Sequence, residues 1–168
     1  MKTDLQKRIA IDLTILLAAV SLFMGILVAM DRIEYNRNVY HFTEEQKDLM
    51  ARVLWVEAGS NSRLLQTACA SVMLNQLDSG HYGDTIDKVL SRSGAYDGYR
   101  LIERADGQDI SECRSVVDQL CKSGSALPGW VWFFSVDGFT WEGIQTYAEI
   151  EGVSFQYFPE DMRAAGWH

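Results

Sequence analysis

The chain has 168 residues, 48% of them hydrophobic, and a formal net charge of −8, which suits one compact domain plus a short extra segment and leaves no room for two large domains. Residues 1–12 hold three basic side chains against two acidic ones, so the rest is more acidic still. A surface of that sign repels phosphate backbones, and no basic stripe interleaved with aromatics occurs, which argues against nucleic acid as a partner. Three cysteines and three histidines in no Cys-x-x-Cys or His-Glu-x-x-His spacing argue against a metal site.

Lys2 to Arg8 is a basic head, and Leu13 to Met30 follows as eighteen residues without a charge. As a helix that run spans about 27 Å, near the lower end of a bilayer crossing. Lys7 and Arg8 on its amino side predict a cytoplasmic amino terminus and an exported remainder. The run is long for a signal peptide, and Leu27-Val-Ala-Met-Asp31 lacks a clear cleavage site. The expectation is therefore a cytoplasmic head over 1–12, an uncleaved single-pass anchor over 13–30, a polar linker over 31–42 and an extracytoplasmic domain over 43–168.

Thr43-Glu-Glu-Gln46 has the form of a capping box and starts the first helix of the domain. Along it Met50, Val53, Leu54 and Glu57 share one stripe at i, i+3, i+4 and i+7, so a carboxylate lies with the apolar residues. Held there, Glu57 is disfavoured in its charged form and has the profile of a general acid. The plainer reading is that it escapes to solvent where the chain turns at Gly59. Ala58 to Ser62 breaks the helix, and Ser60 or Asn61 is expected to cap a second one running to about Leu77. Its stripe of Leu64, Ala68 and Val72 also takes in Asn75, whose plain reading is a buried amide serving loop backbone groups.

Asp84 to Leu90 reads as a short helix capped by Asp84, Ser91 to Gly98 as a polar turn containing Tyr96, and Ile110 to Ser123 as a third sizeable helix. Residues 100–109 are ambiguous, and the tail 159–168 carries no signal. Trp130 to Ser135 is rich in aromatic and β-branched residues and predicts a strand, turned at Asp137-Gly138, with Phe139 to Tyr147 and Val153 to Phe158 as further extended segments. Helices first and a small antiparallel sheet last make an α+β domain. Cys113 and Cys121 lie eight apart on one helix, too far to bridge each other, while a bridge from Cys69 to either stays open.

Leu54-Trp-Val-Glu57-Ala58-Gly59, then Ala68-Cys-Ala70-Ser-Val72-Met-Leu74-Asn75-Gln76, Thr85-Ile86 with Val89-Leu90, and Trp132-Phe-Phe134 resemble in order and spacing the catalytic domain of the spore cortex-lytic, SleB-like family of cell wall hydrolases. The resemblance covers roughly residues 46–158. It implies a lysozyme-like helical domain with a small antiparallel sheet that cleaves peptidoglycan glycan strands. Glu57 would protonate the oxygen between N-acetylmuramic acid and N-acetylglucosamine, and no cofactor is implied. One indispensable carboxylate fits a lytic transglycosylation, in which the muramoyl C6 hydroxyl attacks internally and proximity replaces the second carboxylate of ordinary glycosidases. On this reading Asn75 orients Glu57 or an N-acetyl group, and Tyr96, Trp132 and Tyr157 wall the sugar site. Strand aromatics such as Trp132 and Tyr157 are more often core.

The chain departs from the family's pattern. It lacks the second glutamate after the Glu-Ala pair, has Gln76 where the family has arginine, matches the Pro-Gly-Gln-Phe loop only loosely with Ser93 to Tyr96, and has Ser154 where a histidine is expected. The competing expectations are a degenerate domain that binds glycan or an envelope partner without cutting, and a strict hydrolase using Asp97, Asp137 or Glu142 as second acid. A regulatory partner is expected of any wall-cutting enzyme, with no residue assignable to it.

Overall fold

The computed structural model describes Leu17, Val20, Ser21, Phe23, Met24 and residues 39–136, 142–164 and 166. Chain contacts divide it into two units, 1–38 and 39–168. In the first, the five described positions are helical and exposed. The expected head, most of the anchor and most of the linker lie outside the described residues. No helix among the described residues is long and apolar enough to cross a membrane.

The second unit is α+β, with six helices and a three-stranded antiparallel sheet among its described residues. It starts at Val39, not Thr43: the Val39 and Tyr40 amides donate to the Cys121 carbonyl, and the Tyr40 hydroxyl donates to Asp78 Oδ2 at 2.5 Å. Helix α1 (Glu44–Ala58) opens with the capping box in full, the Gln46 amide donating to Thr43 Oγ1 and the Thr43 amide to Gln46 Oε1. Met50, Val53 and Leu54 are fully buried, as the stripe requires.

Helix α2 (Arg63–Ser79) is capped by Ser62, whose Oγ accepts from the Leu65 amide, and not by Ser60 or Asn61. It is central: every residue from Ala68 to Gln76 is buried, so the helix has no single apolar stripe. Leu64, expected inside, is 64% exposed because it precedes the point where neighbours enclose the helix. Small side chains at Ala68, Cys69, Ala70 and Ser71 let those neighbours close in. Buried Gln66 staples the preceding turn, its Nε2 donating to the Gly59 and Asn61 carbonyls, and so fixes the end of α1.

Helix α3 (Ile86–Ser91) is capped by Thr85, which accepts from the Lys88 amide, while Asp84 instead pairs with Lys88 at 2.7 Å. Helix α4 (Asp97–Arg100) begins inside the expected turn Ser91 to Gly98, which therefore ends at Tyr96, and a 3-10 turn (Ile102–Ala105) lies within the ambiguous stretch 100–109. Helix α5 (Ser111–Ser123) buries Cys113, Val116, Val117, Leu120 and Cys121. All three cysteines are buried and free, so no disulfide ties Cys69 to either partner.

Strands β1 (Phe133–Val136), β2 (Gln145–Ile150) and β3 (Val153–Tyr157) pair antiparallel in the order β1-β3-β2, with Phe134 opposite Phe155 and Ile150 opposite Val153. Glu151 and Gly152, at φ 52° and 80°, make the two-residue hairpin loop. β1 begins three residues later than expected, since the Val131 amide donates to the Pro128 carbonyl and the Val131 carbonyl accepts from Asn75. Those backbone groups are spent on the turn before the ladder starts. The expected strand start at Phe139 and the Asp137-Gly138 turn lie outside the described residues, and the tail forms α6 (Pro159–Ala164).

Candidate functional site

Glu57 is the last residue but one of α1, and its stripe aims it in the direction of Val53 and Leu54 at a point where the core gives way to a cleft. The cleft encloses about 510 Å³ and is walled by Glu57 from α1, Val72 and Gln76 from α2, residues 92–97, and Phe133, Phe134 and Ser135 from β1. Helix α4 crosses α1 here, and the Gly98 amide donates to Glu57 Oε1 at 2.5 Å. Only glycine permits this approach: a Cβ at residue 98 would lie 2.5 Å from the Val53 carbonyl oxygen and 3.0 Å from Glu57 Cγ.

Burial raises the Glu57 pKa above the ordinary glutamate value, the Gly98 N–H pulls the other way, and the charge of Asp97 adds to the rise. With Oε1 accepting the Gly98 N–H, the proton of the neutral acid belongs on Oε2. Cys69 on α2 shares the environment, and burial with the nearby Glu57 charge pushes its thiol up to about 12. The Tyr96 hydroxyl is likewise raised well above its usual value, by burial first and the Glu57 charge second. Glu57 is thus a carboxyl that holds its proton more tightly than a free glutamate, inside a partly enclosed groove.

A buried polar chain holds the cleft's walls together. The Tyr96 hydroxyl donates to Gln76 Oε1 at 3.0 Å, and Gln76 Nε2 donates to the Trp132 carbonyl at 2.6 Å. One side chain of α2 thereby ties the 92–97 loop to the entry of β1. Phe134 packs between Tyr96 and Phe155, with ring centroids 6.0 and 6.1 Å away. At the rim, the Arg92 guanidinium lies 4.4 Å over the Tyr82 ring.

Of the residues expected at the site, the structure brings Glu57 and Tyr96 together and leaves three outside the cleft lining. Tyr96 is only 6% exposed, a wall element whose hydroxyl is committed to Gln76, not an open platform for a sugar. Asn75 is 1% exposed and donates to the Pro128 and Val131 carbonyls at 2.7 and 3.0 Å. It serves loop backbone groups and does not orient Glu57. Trp132 stands beside the cleft, its Nε1 donating to the Gly129 carbonyl and its ring against His81 and Tyr82. Tyr157 meets Trp130 edge-on at 4.6 Å, donates to Gln145 Oε1 and does not line the cleft.

Among the alternative second acids, Asp97 lines the cleft, with its carboxylate paired to Arg100 at 3.0 Å. Glu142 is exposed and lines no part of the cleft, and Asp137 lies outside the described residues. Gln76, Gly98, Arg92 and the Phe133-Phe134 pair were not singled out as site residues from sequence. The signal for Gln76 was present, one residue beyond Asn75 on a helix where a 100° step separates a core duty from a cleft duty. No group of three metal-ligating side chains occurs among the described residues. Compared with known proteins, the chain matches no family model, no curated protein and no solved structure.

Proposed function

We propose that the chain is a membrane-anchored, lysozyme-like enzyme that cleaves peptidoglycan glycan strands outside the cytoplasmic membrane. Residues 13–30 are its single-pass anchor. Glu57 is the general acid, and the reaction is a lytic transglycosylation between N-acetylmuramic acid and N-acetylglucosamine. The observation that carries this reading is the desolvated Glu57 carboxyl in a 510 Å³ cleft with an aromatic wall at Phe133 and Phe134. Oε2 protonates the glycosidic oxygen, and the resulting carboxylate then accepts the proton of the muramoyl C6 hydroxyl as that oxygen attacks C1. The Gly98 N–H on Oε1 stabilises the carboxylate formed between the two steps.

Asp97 in the same cleft lining supports a second reading, hydrolysis with Asp97 positioning water. The test is digestion of purified peptidoglycan by the full chain in mild detergent, beside Glu57→Gln, with mass spectrometry of the released muropeptides. Products ending in 1,6-anhydro-muramic acid, lost in Glu57→Gln, are expected. Reducing ends instead select the hydrolase and put Asp97→Asn next in line. No release by either protein, with glycan still bound, defines a degenerate glycan binder.

A further inference from the structure

Five arginines of the described domain, at 52, 63, 100 and 114 through carboxylates or side-chain oxygens and at 92 through an aromatic ring, have side-chain contacts, and the last differs in kind. Arg92 caps the C-terminal end of α3 and lines the cleft that holds Glu57. Its guanidinium is laid on the Tyr82 ring at 4.4 Å, and among the described residues it has no ion pair and no side-chain hydrogen bond. The ring contact restrains where the guanidinium sits while leaving its N–H donors uncommitted. The acidic group nearest in sequence on the cleft wall, Asp97, is engaged by Arg100. The cleft thus carries a cation that no carboxylate of the described residues pairs with, in a protein of net charge −8 where carboxylates are plentiful.

Resting on the reading of the cleft as a glycan site, we propose that Arg92 binds a carboxylate of the muramoyl residue and so selects muramic acid strands over carboxylate-free N-acetylglucosamine polymers. A planar carboxylate matches the fork in a way that a sugar hydroxyl does not. Two sources offer that group in peptidoglycan: the lactyl carboxylate where the stem peptide has been removed, and the carboxylates of the peptide where it has not. Tyr82 acts as a positioning residue, holding the guanidinium at the rim of the cleft where the ligand meets it.

The test uses the full chain in detergent with Glu57→Gln, which stops turnover, alone and combined with Arg92→Gln. Calorimetry measures binding of three tetrasaccharides: chitotetraose, peptide-free N-acetylglucosamine–N-acetylmuramic acid repeats, and the same repeats carrying stem peptides. Loss of a charge-assisted bond predicts that Arg92→Gln weakens binding of at least one muramoyl ligand by about tenfold to a hundredfold and leaves chitotetraose within about twofold. The effect should shrink with added salt, since the residue is exposed. Loss confined to the peptide-free ligand assigns the lactyl group, and loss confined to the peptide-bearing ligand assigns the stem. Equal loss on all three ligands, or loss on none, overturns the role of Arg92 while leaving the glycan cleft standing. Failure of every saccharide to bind the Glu57→Gln chain overturns both the cleft's assignment and this one.

Discussion

Gly98→Ala is the sharpest perturbation of the site, because the space at residue 98 is defined by backbone. The new Cβ would sit 2.5 Å from the Val53 carbonyl oxygen and 3.1 Å from Glu57 Oε1, where ordinary contacts begin near 3.4 Å. Val53 lies in the middle of α1 and cannot yield, so α4 must retreat by close to 1 Å. Overpacking of this kind costs about 1–3 kcal/mol, which in a domain of this size lowers Tm by about 5–15 °C. The retreat also breaks the Gly98 N–H bond to Glu57, the one influence holding that carboxyl's pKa down, so the pKa rises further. Gly129→Ala is the control, since a Cβ there meets nothing within 4 Å and the φ is not positive. The assays are thermal unfolding by circular dichroism and NMR titration of the Glu57 carboxyl carbon. Equal Tm for the two variants, with an unshifted Glu57 titration, would refute the close approach of α4 to α1.

Two further outcomes are expected. Folding raises the Glu57 pKa above the ordinary glutamate value, so the folded chain holds that proton more tightly than the unfolded one. The stability this contributes is complete below about pH 4.5 and is lost as pH rises through the folded value. Glu57→Gln, neutral throughout, should therefore match the wild type in urea unfolding near about pH 4 and exceed it near about pH 8; a variant less stable at the higher pH sinks the desolvation argument. Asn75→Ala should cost about 1–3 kcal/mol by leaving the Val131 carbonyl without its donor and the Pro128 carbonyl with the Val131 amide alone, and should leave the Glu57 titration where it was. A loss under about 0.5 kcal/mol would mean those carbonyls find other partners.

Local signals were legible wherever one residue answers to its immediate neighbours. The Thr43 box formed as read, the α1 stripe buried Met50, Val53 and Leu54, and Glu57 followed them to the cleft wall. The α+β order was legible too, because aromatic and β-branched residues cluster only after Pro128. Capping was misread by one or two residues at Ser62 and Thr85, since several oxygens near each helix start compete for the same amides and geometry picks the winner. The α2 stripe misleads for a different reason: a helix enclosed on all sides has no polar face to set the phase, so Leu64 reads as inside and Gln76 reads only as a departure from the family's arginine, with no duty of its own.

Of the aromatic assignments, Tyr96 reaches the cleft lining while Trp132 and Tyr157 do not, because an extended segment fixes which way a residue turns but not what lies above it. Phe133 and Phe134 reach the cleft, while Trp132, one position earlier, turns to His81 and Tyr82 and gives only its carbonyl to Gln76. Gly98 shows the limit most clearly. Its value lies wholly in contacts with Val53 and Glu57, more than forty residues earlier, and nothing in Tyr96-Asp-Gly-Tyr99 signals them. Yet that glycine's N–H loosens the hold on the proton that burial gives Glu57. Burial alone would leave an acid reluctant to part with a proton, and a full set of donors would leave a carboxylate with none to give. One backbone N–H, admitted by the missing side chain, opposes the effect of burial on that carboxyl, which is what the proposed acid and base role asks of it.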